Sequence, residues 1–305
     1  MQKSKRALLK SALAAAFLSA GLAATDARAQ ATLRWQYRPG ETFHYQVDQK
    51  ANSKASVGGQ SFESAMSQTI ETSWTVKSVQ DGTADLSVKI DRLRLTMDTP
   101  VEKVAYDSRD GKQPAGQIGQ MLGPIFEVMV GSEFTFKMNE LGEVTDVKVP
   151  EKLVSVIKSM PQLASMGGQF SEEGLKQQFT QATIVLPKEA ISRGKSWTKR
   201  VSLPSPVGAM VLDNDYTYEG QNNQGIEKID VKITLEVKPA EGGQLQLNVK
   251  SQDAKGTFLF DNSKGRLSES SITRKMEMSV TAMGVEQVQT VDSTESMKLV
   301  KGDGG

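Results

Sequence analysis

The chain has 305 residues, 37 basic against 36 acidic, with a single histidine and no cysteine. The missing cysteines exclude disulfides, thiolate metal sites and cysteine nucleophiles together, so stability has to come from packing. The balanced charge lacks the footprint of a nucleic-acid or anionic-membrane binder.

Residues 1–29 read as a cleavable export signal. Lys3, Lys5, Arg6 and Lys10 form a basic start, Ala12 to Ala24 is an uncharged apolar run, and Ala27-Arg28-Ala29 supplies small residues for a peptidase. Cleavage is expected between Ala29 and Gln30. The alternative is a membrane anchor, but the run is shorter than the roughly 20 residues a bilayer core demands. Cleavage removes five bases and one acid, Asp26, taking the formal charge from +1 to −3.

Period-2 alternation dominates the chain beyond Gln30. Leu33, Trp35 and Tyr37 alternate, Pro39-Gly40 turns the chain, and Phe43, Tyr45 and Val47 alternate back, which predicts a hairpin. Met66, Ile70, Trp74 and Val76 share one phase before the Asp81-Gly82 turn, and Ala84, Leu86, Val88 and Ile90 return. Beyond Asp91 the apolar phase moves to Leu93, Leu95 and Met97, which predicts a β-bulge.

The pattern then becomes helical. Ile118, Met121, Leu122, Ile125, Phe126 and Met129 form one stripe that Pro124 should kink or divide. A hairpin through Phe134, Phe136, Gly142 and Val144 precedes a helix from Glu151 with Leu153, Val154, Ile157 and Met160 on its apolar face. Ser171-Glu172-Glu173 starts another helix bearing Leu175 and Phe179, and Met166-Gly167-Gly168 between them reads as a flexible loop. Alternation resumes with Met210, Leu212, Tyr216 and Tyr218, and then Ile229 to Val237. Leu245, Leu247, Val249, Phe258 and Phe260 come next, and Ile272, Met276, Met278, Val280 and Ala282 after them. A polar segment ends at Met297 and Leu299.

Two patterns recur at an offset of 154 residues. Val104 to Lys112 matches Phe258 to Arg266 in its Asp-x-x-x-Gly-basic ending, and Gly40, Phe43 and Val47 match Gly194, Trp197 and Val201. Duplication and reuse of the same turn chemistry both account for this.

Together these elements predict an α+β fold, predominantly antiparallel β, with long curved strands in two similar halves and helices inserted between them. The expected division is a first half over 30–149 with a helix near 115–130, a helical connector over 150–185, a second half over 186–301, and a tail over 302–305.

Three segments carry a resemblance: Leu33-Arg-Trp35-Gln-Tyr-Arg-Pro39-Gly40-Glu41-Thr-Phe43, Leu186 to Trp197, and Tyr216-Thr-Tyr218-Glu219-Gly220. The chain resembles a β-rich, uncharacterised family of exported bacterial proteins, of planctomycete type, grouped only as a domain of unknown function. The resemblance implies an envelope or secreted location and brings no catalytic residue. In layout alone the chain is similar to periplasmic lipoprotein carriers, a likeness of architecture that does not determine function.

Chemistry is sparse. His44 alternates with Phe43 and Tyr45 and so belongs to the polar face, away from a buried catalytic role. Asp107 to Gly111 lacks the further acids of a calcium loop, and position 118 is Ile where a closing Glu would stand. Neither a metal nor a cofactor is implied. Trp35, Trp74 and Trp197 lie on apolar phases and read as core. Met66, Met97, Met121, Met210, Met276 and Met278, with Trp74, form a candidate apolar lining, because methionine adapts to varied apolar guests and equally fills irregular cores.

The expected function is that of an exported, non-catalytic envelope protein that binds a lipid or another apolar or amphiphilic ligand. No nucleic acid is expected as a partner, nor a membrane span in the mature chain. The alternatives are an envelope scaffold that binds proteins through strand edges, and a hydrolase built on a carboxylate pair.

Overall fold

A computed structural model describes residues 30–160, 171–181, 183–205, 208–239, 245–282 and 285–300. Strands take 62% of these residues and helices 13%. The first half contains β1 (Thr42–Val57), β2 (Gln60–Gln80), β3 (Thr83–Asp98), β4 (Lys103–Asp107), α1 (Gly116–Met129), β5 (Glu133–Met138) and β6 (Val144–Lys148). Two helices come next, α2 (Glu151–Lys158) and α3 (Glu172–Gln181). The remainder is β7 (Ser196–Ser205), β8 (Gly208–Gln221), β9 (Glu227–Pro239), β10 (Leu245–Asp261), β11 (Arg266–Ala282) and β12 (Val285–Val300).

The strands form one open antiparallel sheet in the order β6-β5-β3-β2-β1-β12-β11-β10-β9-β8-β7, with β4 pairing β3 alone. This overturns the expected α+β fold in two similar halves. The last strand lies beside the first, from His44 opposite Val300 to Val57 opposite Gln287, so one ladder runs through both halves. The three helices of the described residues are short appendages to that sheet. Nor are the halves alike, since β1 and β2 span 16 and 21 residues where β7 and β8 span 10 and 14. The β12 strand was hidden in the polar segment because Glu295, Ser293 and Gln289 occupy the face it shares with Met297 and Leu299.

The sheet is rolled. Lys199 on β7 reaches Glu143 beside β6, at the opposite edge, with N and O 3.3 Å apart. At this end a large core gathers Phe43, Tyr45, Trp74, Leu86, Phe136, Tyr216, Ile229, Phe258 and Phe260 from across the sheet. Two irregular segments fill its middle. The first carries Leu33 and Trp35, the second Ile184, Leu186 and Ile191, and Ala31 pairs with Ile191 where they meet. Residues 33–37 are therefore a plug rather than the predicted strand. Their backbone bonds go to loops, Trp35 N–H to Glu140 and Gln36 N–H to Gly265, while the Arg38–Glu41 turn feeds β1 as expected.

The predicted bulge is present at Asp91, because Glu71 faces Arg92 while Thr72 faces Ile90. Gly58 and Gly59, at φ +57° and +84°, supply the two positive φ angles of a tight β1–β2 turn. Pro124 does not divide α1. Leu122 and Ile125 on either side of it are buried in a second core with Ile90, Phe134 and Leu153, and Leu175 and Phe179 pack against that core. The α1 N-terminus has no cap of its own. Instead Glu102, from the β3–β4 loop, accepts the N–H groups of Gln117 at 2.8 Å and Ile118 at 2.6 Å. The predicted signal, the Met166-Gly167-Gly168 loop and the tail lie outside the described residues.

Candidate functional site

Alternation and register divide the inner face of β1, β2, β10, β11 and β12 into rows. Nearest the plugged end are Thr72, Tyr45 and Leu299, and next Ile70, Val47, Met297, Ser270 and Phe258. A third row holds Gln68, Gln49, Glu295 and Ile272, and a fourth Met66, Ala51, Ser293, Arg274 and Ala254. Above these stand Ser64, Ser53, Val291, Met276 and Gln252, with the two serine hydroxyls 2.7 Å apart, and finally Phe62, Ala55, Gln289, Met278 and Val249.

The lower rows are core and the upper ones are not. Met66, Val249, Met276, Met278, Val280 and Val291 belong to neither hydrophobic cluster, and each is only half-buried. Phe62 is 44% exposed, an unusual state for a phenylalanine on the inward phase. The helices do not reach this region: α1, α2 and α3 pack over β3, β4, β5 and β6 and the adjoining part of β2. The upper face of β10 to β12 thus mixes Val249, Met276, Met278, Val280 and Val291 with Gln252 and Gln289, and lies outside both cores.

A charged belt crosses this face between core and rim. Gln49 donates to Glu295 at 2.9 Å, and the Arg274 guanidinium stands 3.7 Å from the same carboxylate. Both charged side chains are about one-third exposed. Sequence reading passed over this pair, although Arg274 falls between Ile272 and Met276 on the apolar phase of its strand, and a charge in that phase is the visible signal.

The predicted lining separates into groups. Met276 and Met278 lie together on the open face, and Met66 shares it across β1 and β12. Met97 is the register partner of Met66 but packs with Met121 in the core beneath α1. Met210 stands on β8 opposite Val237, away from the others. Trp74 does not line the open face. It is buried in the plugged core, 6.0 Å from Phe43 and edge-on to Tyr45 and Phe136. Of the cleavage pair, Ala29 lies outside the described residues and Gln30 is exposed at their start.

A cleft of about 480 Å³ at β1 to β4 is bordered by Lys50, Asn52 and Lys103 and also by Met66, Met97 and Val104, so it brings two of the predicted lining methionines together. His44 is on the outward face and half-buried, with Nδ1 2.9 Å from the Ser73 hydroxyl. Ser73 in turn donates to the bulged Asp91. The order His–Ser–Asp is wrong for a nucleophilic triad, in which the imidazole must stand between serine and acid. Three further acids, Asp107, Glu227 and Asp261, are occupied. Arg92 grips Asp107 through two nitrogens, at 3.0 and 2.5 Å, and holds its carboxyl down at about 2. Buried Glu227 accepts from Tyr218 at 2.5 Å, and buried Asp261 holds the turn at Ser263 and Lys264.

A family model described as a family of unknown function (DUF6263) matches residues 81–267, more than half of the chain. The chain belongs to this family. The matched span runs from the β2–β3 turn to the start of β11, so it holds the three helices of the described residues and leaves out β1, β2, β12 and most of β11, which carry much of the open face. No curated protein matches. Among solved structures, one of lipid–protein interactions in lipovitellin is 12% identical with a TM-score of 0.45, covering 87% of this chain and 26% of that one. The chain therefore spans about a quarter of the lipovitellin chain. DynF from the dynemicin pathway of Micromonospora chersina is 7% identical, covering 89% and 86%, with a TM-score of 0.22. An outer-membrane channel from Pseudomonas putida F1 is 8% identical, covering 87% and 97%, also with a TM-score of 0.22. At these scores none carries an argument. No helix among the described residues is long and apolar enough to cross a membrane.

Proposed function

We propose that this family member is an exported, non-catalytic envelope protein whose open sheet face holds an apolar or amphiphilic ligand. The observation that carries the reading is the half-buried row of Met276, Met278, Val280 and Val291, which stands outside both cores on a sheet that the helices cover elsewhere. A half-exposed apolar row outside the packed core is the kind of surface that takes a partner. Methionines give it an adaptable lining. The absence of catalysis is inferred from the wrongly ordered His44 chain and from acids already held by arginine, tyrosine and turn N–H groups. Export is inferred from residues 1–29.

The test is native mass spectrometry of the protein purified from its cells, joined to titration with a fluorescent fatty acid. A copurifying lipid and saturable binding are expected, with Met278→Glu weakening binding by about tenfold or more. A clean apo mass together with no saturable binding defeats the reading. Export is checked by N-terminal sequencing of the mature protein, where a start at Gln30 is expected.

One observation favours the scaffold reading. The β9 and β10 strands pair only from Ile233/Ala254 to Glu227/Phe260, and beyond this the Gln252 side chain replaces the ladder, bonding Leu235 N–H at 2.7 Å and C=O at 2.9 Å. Unpaired edges of this sort accept partner strands. Crosslinking that recovers no reproducible protein partner would remove this alternative.

A further inference from the structure

The open face offers more than an apolar surface, because Arg274 and Glu295 lie on it among the methionines. Resting on the binding role proposed above, we infer that the ligand is a single-chain amphiphile with a zwitterionic headgroup, its anionic group on Arg274 and its ammonium on Glu295. Three observations lead there. First, the pair stands on the inner phase: Ile272 and Met297, two residues away on the same face, both pack against the plugged core. Second, the pair is loose, at 3.7 Å, and about one-third exposed, so each charge has room to take a ligand group in place of its partner. Nearby Gln68 and Ser293 add polar side chains to the belt. Third, the belt is neutral overall. A purely anionic head would meet the Glu295 carboxylate, and a cationic head would meet the Arg274 guanidinium. A zwitterion satisfies both charges in alternating order.

The tail has a defined path. From Arg274 the inward side chains of β11 are Met276, Met278 and Val280, bordered by Val291 of β12 and Val249 of β10. Six residues of strand extend about 20 Å, the span of an extended acyl chain of ordinary length. The head would therefore lie deep, against the rows next to the core, and the chain end would point to the rim near Phe62.

The test compares four probes sharing one twelve-carbon chain, each below its micelle-forming concentration: dodecylphosphocholine, dodecanoate, dodecyltrimethylammonium and dodecyl maltoside. Calorimetric titration of the full mature chain should show the zwitterion binding about tenfold or more tighter than the other three. Glu295→Gln should move the preference to dodecanoate, Arg274→Gln should move it to dodecyltrimethylammonium, and the double variant should level all four. Circular dichroism melting of each variant verifies folding, and the preference among probes is read within one variant, so a uniform loss of stability cannot mimic it. If all four bind alike in the unaltered protein, or the preference survives both single substitutions, the headgroup assignment is overturned while the apolar site stands. If none binds, the binding role fails and the assignment with it.

Discussion

The two ends of the inner sheet face are made by the same strands with the same alternation, yet one is solid core and the other is open. At the plugged end, Tyr45 and Phe260 are 1% and 0% exposed because the Leu33–Trp35 and Ile184–Leu186 segments are laid against them. At the open end, Met276 and Met278 lie on the inward phase of β11 and, among the described residues, belong to neither core. The strand pattern decides which side chains point inward, and what covers them is decided by segments that carry no strand pattern at all.

That contrast can be tested by truncation at each end. Phe260→Ala should cost about 3–5 kcal/mol in urea unfolding, since it empties a fully enclosed site edge-on to Trp35. Tyr45→Phe at the same end should cost about 1–2 kcal/mol, because the buried Leu267 carbonyl loses the hydroxyl donor 2.8 Å away. Between the ends, Glu102→Ala should cost about 1 kcal/mol and speed amide exchange in the first turn of α1, whose N–H groups lose their acceptor. Met278→Ala at the open end should stay within about 1 kcal/mol, the behaviour of a half-exposed side chain. A loss as large as that of Phe260 would mean the open face is core after all.

Acid unfolding sharpens the comparison from the outward face. The folded carboxyl of Asp107 titrates at about 2 against an ordinary 3.8, chiefly through its hydrogen bonds from Arg92. A depressed pKa contributes stability that is present above the ordinary value and is lost as pH falls through 3.8 toward 2. Asp107→Asn should therefore flatten the fall in melting temperature over that window and leave its value near pH 7 lower. Unchanged slopes would remove Asp107 from the acid response.

Much of the strand framework was legible. The bulge at Asp91 followed from a change of apolar phase, and the turns at Asp81-Gly82 and Asp261 to Gly265 followed from their residues. Matched Asp107 and Asp261 accept turn N–H groups in the same manner, with Gly111 and Gly265 at φ +63° and +60°, so the 154-residue echo is at least a shared turn. What escaped was non-local. The plug shows the same alternation as a strand, and only its bonds to Glu140 and Gly265 make it something else. The inner face of β12 carries Val291, Met297 and Leu299 but interrupts them with Gln289, Ser293 and Glu295, the last of which meets Gln49 and Arg274, so its apolar alternation is broken. Of the candidate lining, Met276 and Met278 stand outside both cores while Trp74 has the same inward phase at the plugged end of the sheet, and phase alone does not measure distance from the plug.

By itself the sequence determined most of the strands, their inward faces and the absence of thiol chemistry, because these depend on residue type and on spacings of two. Only the tertiary structure decided that β12 lies beside β1, that the sheet rolls until Lys199 meets Glu143, and that Arg274 and Glu295 meet on one face. Those outcomes rest on contacts between residues more than 20 positions apart, where burial and pairing across the whole chain, not local pattern, carry the free energy.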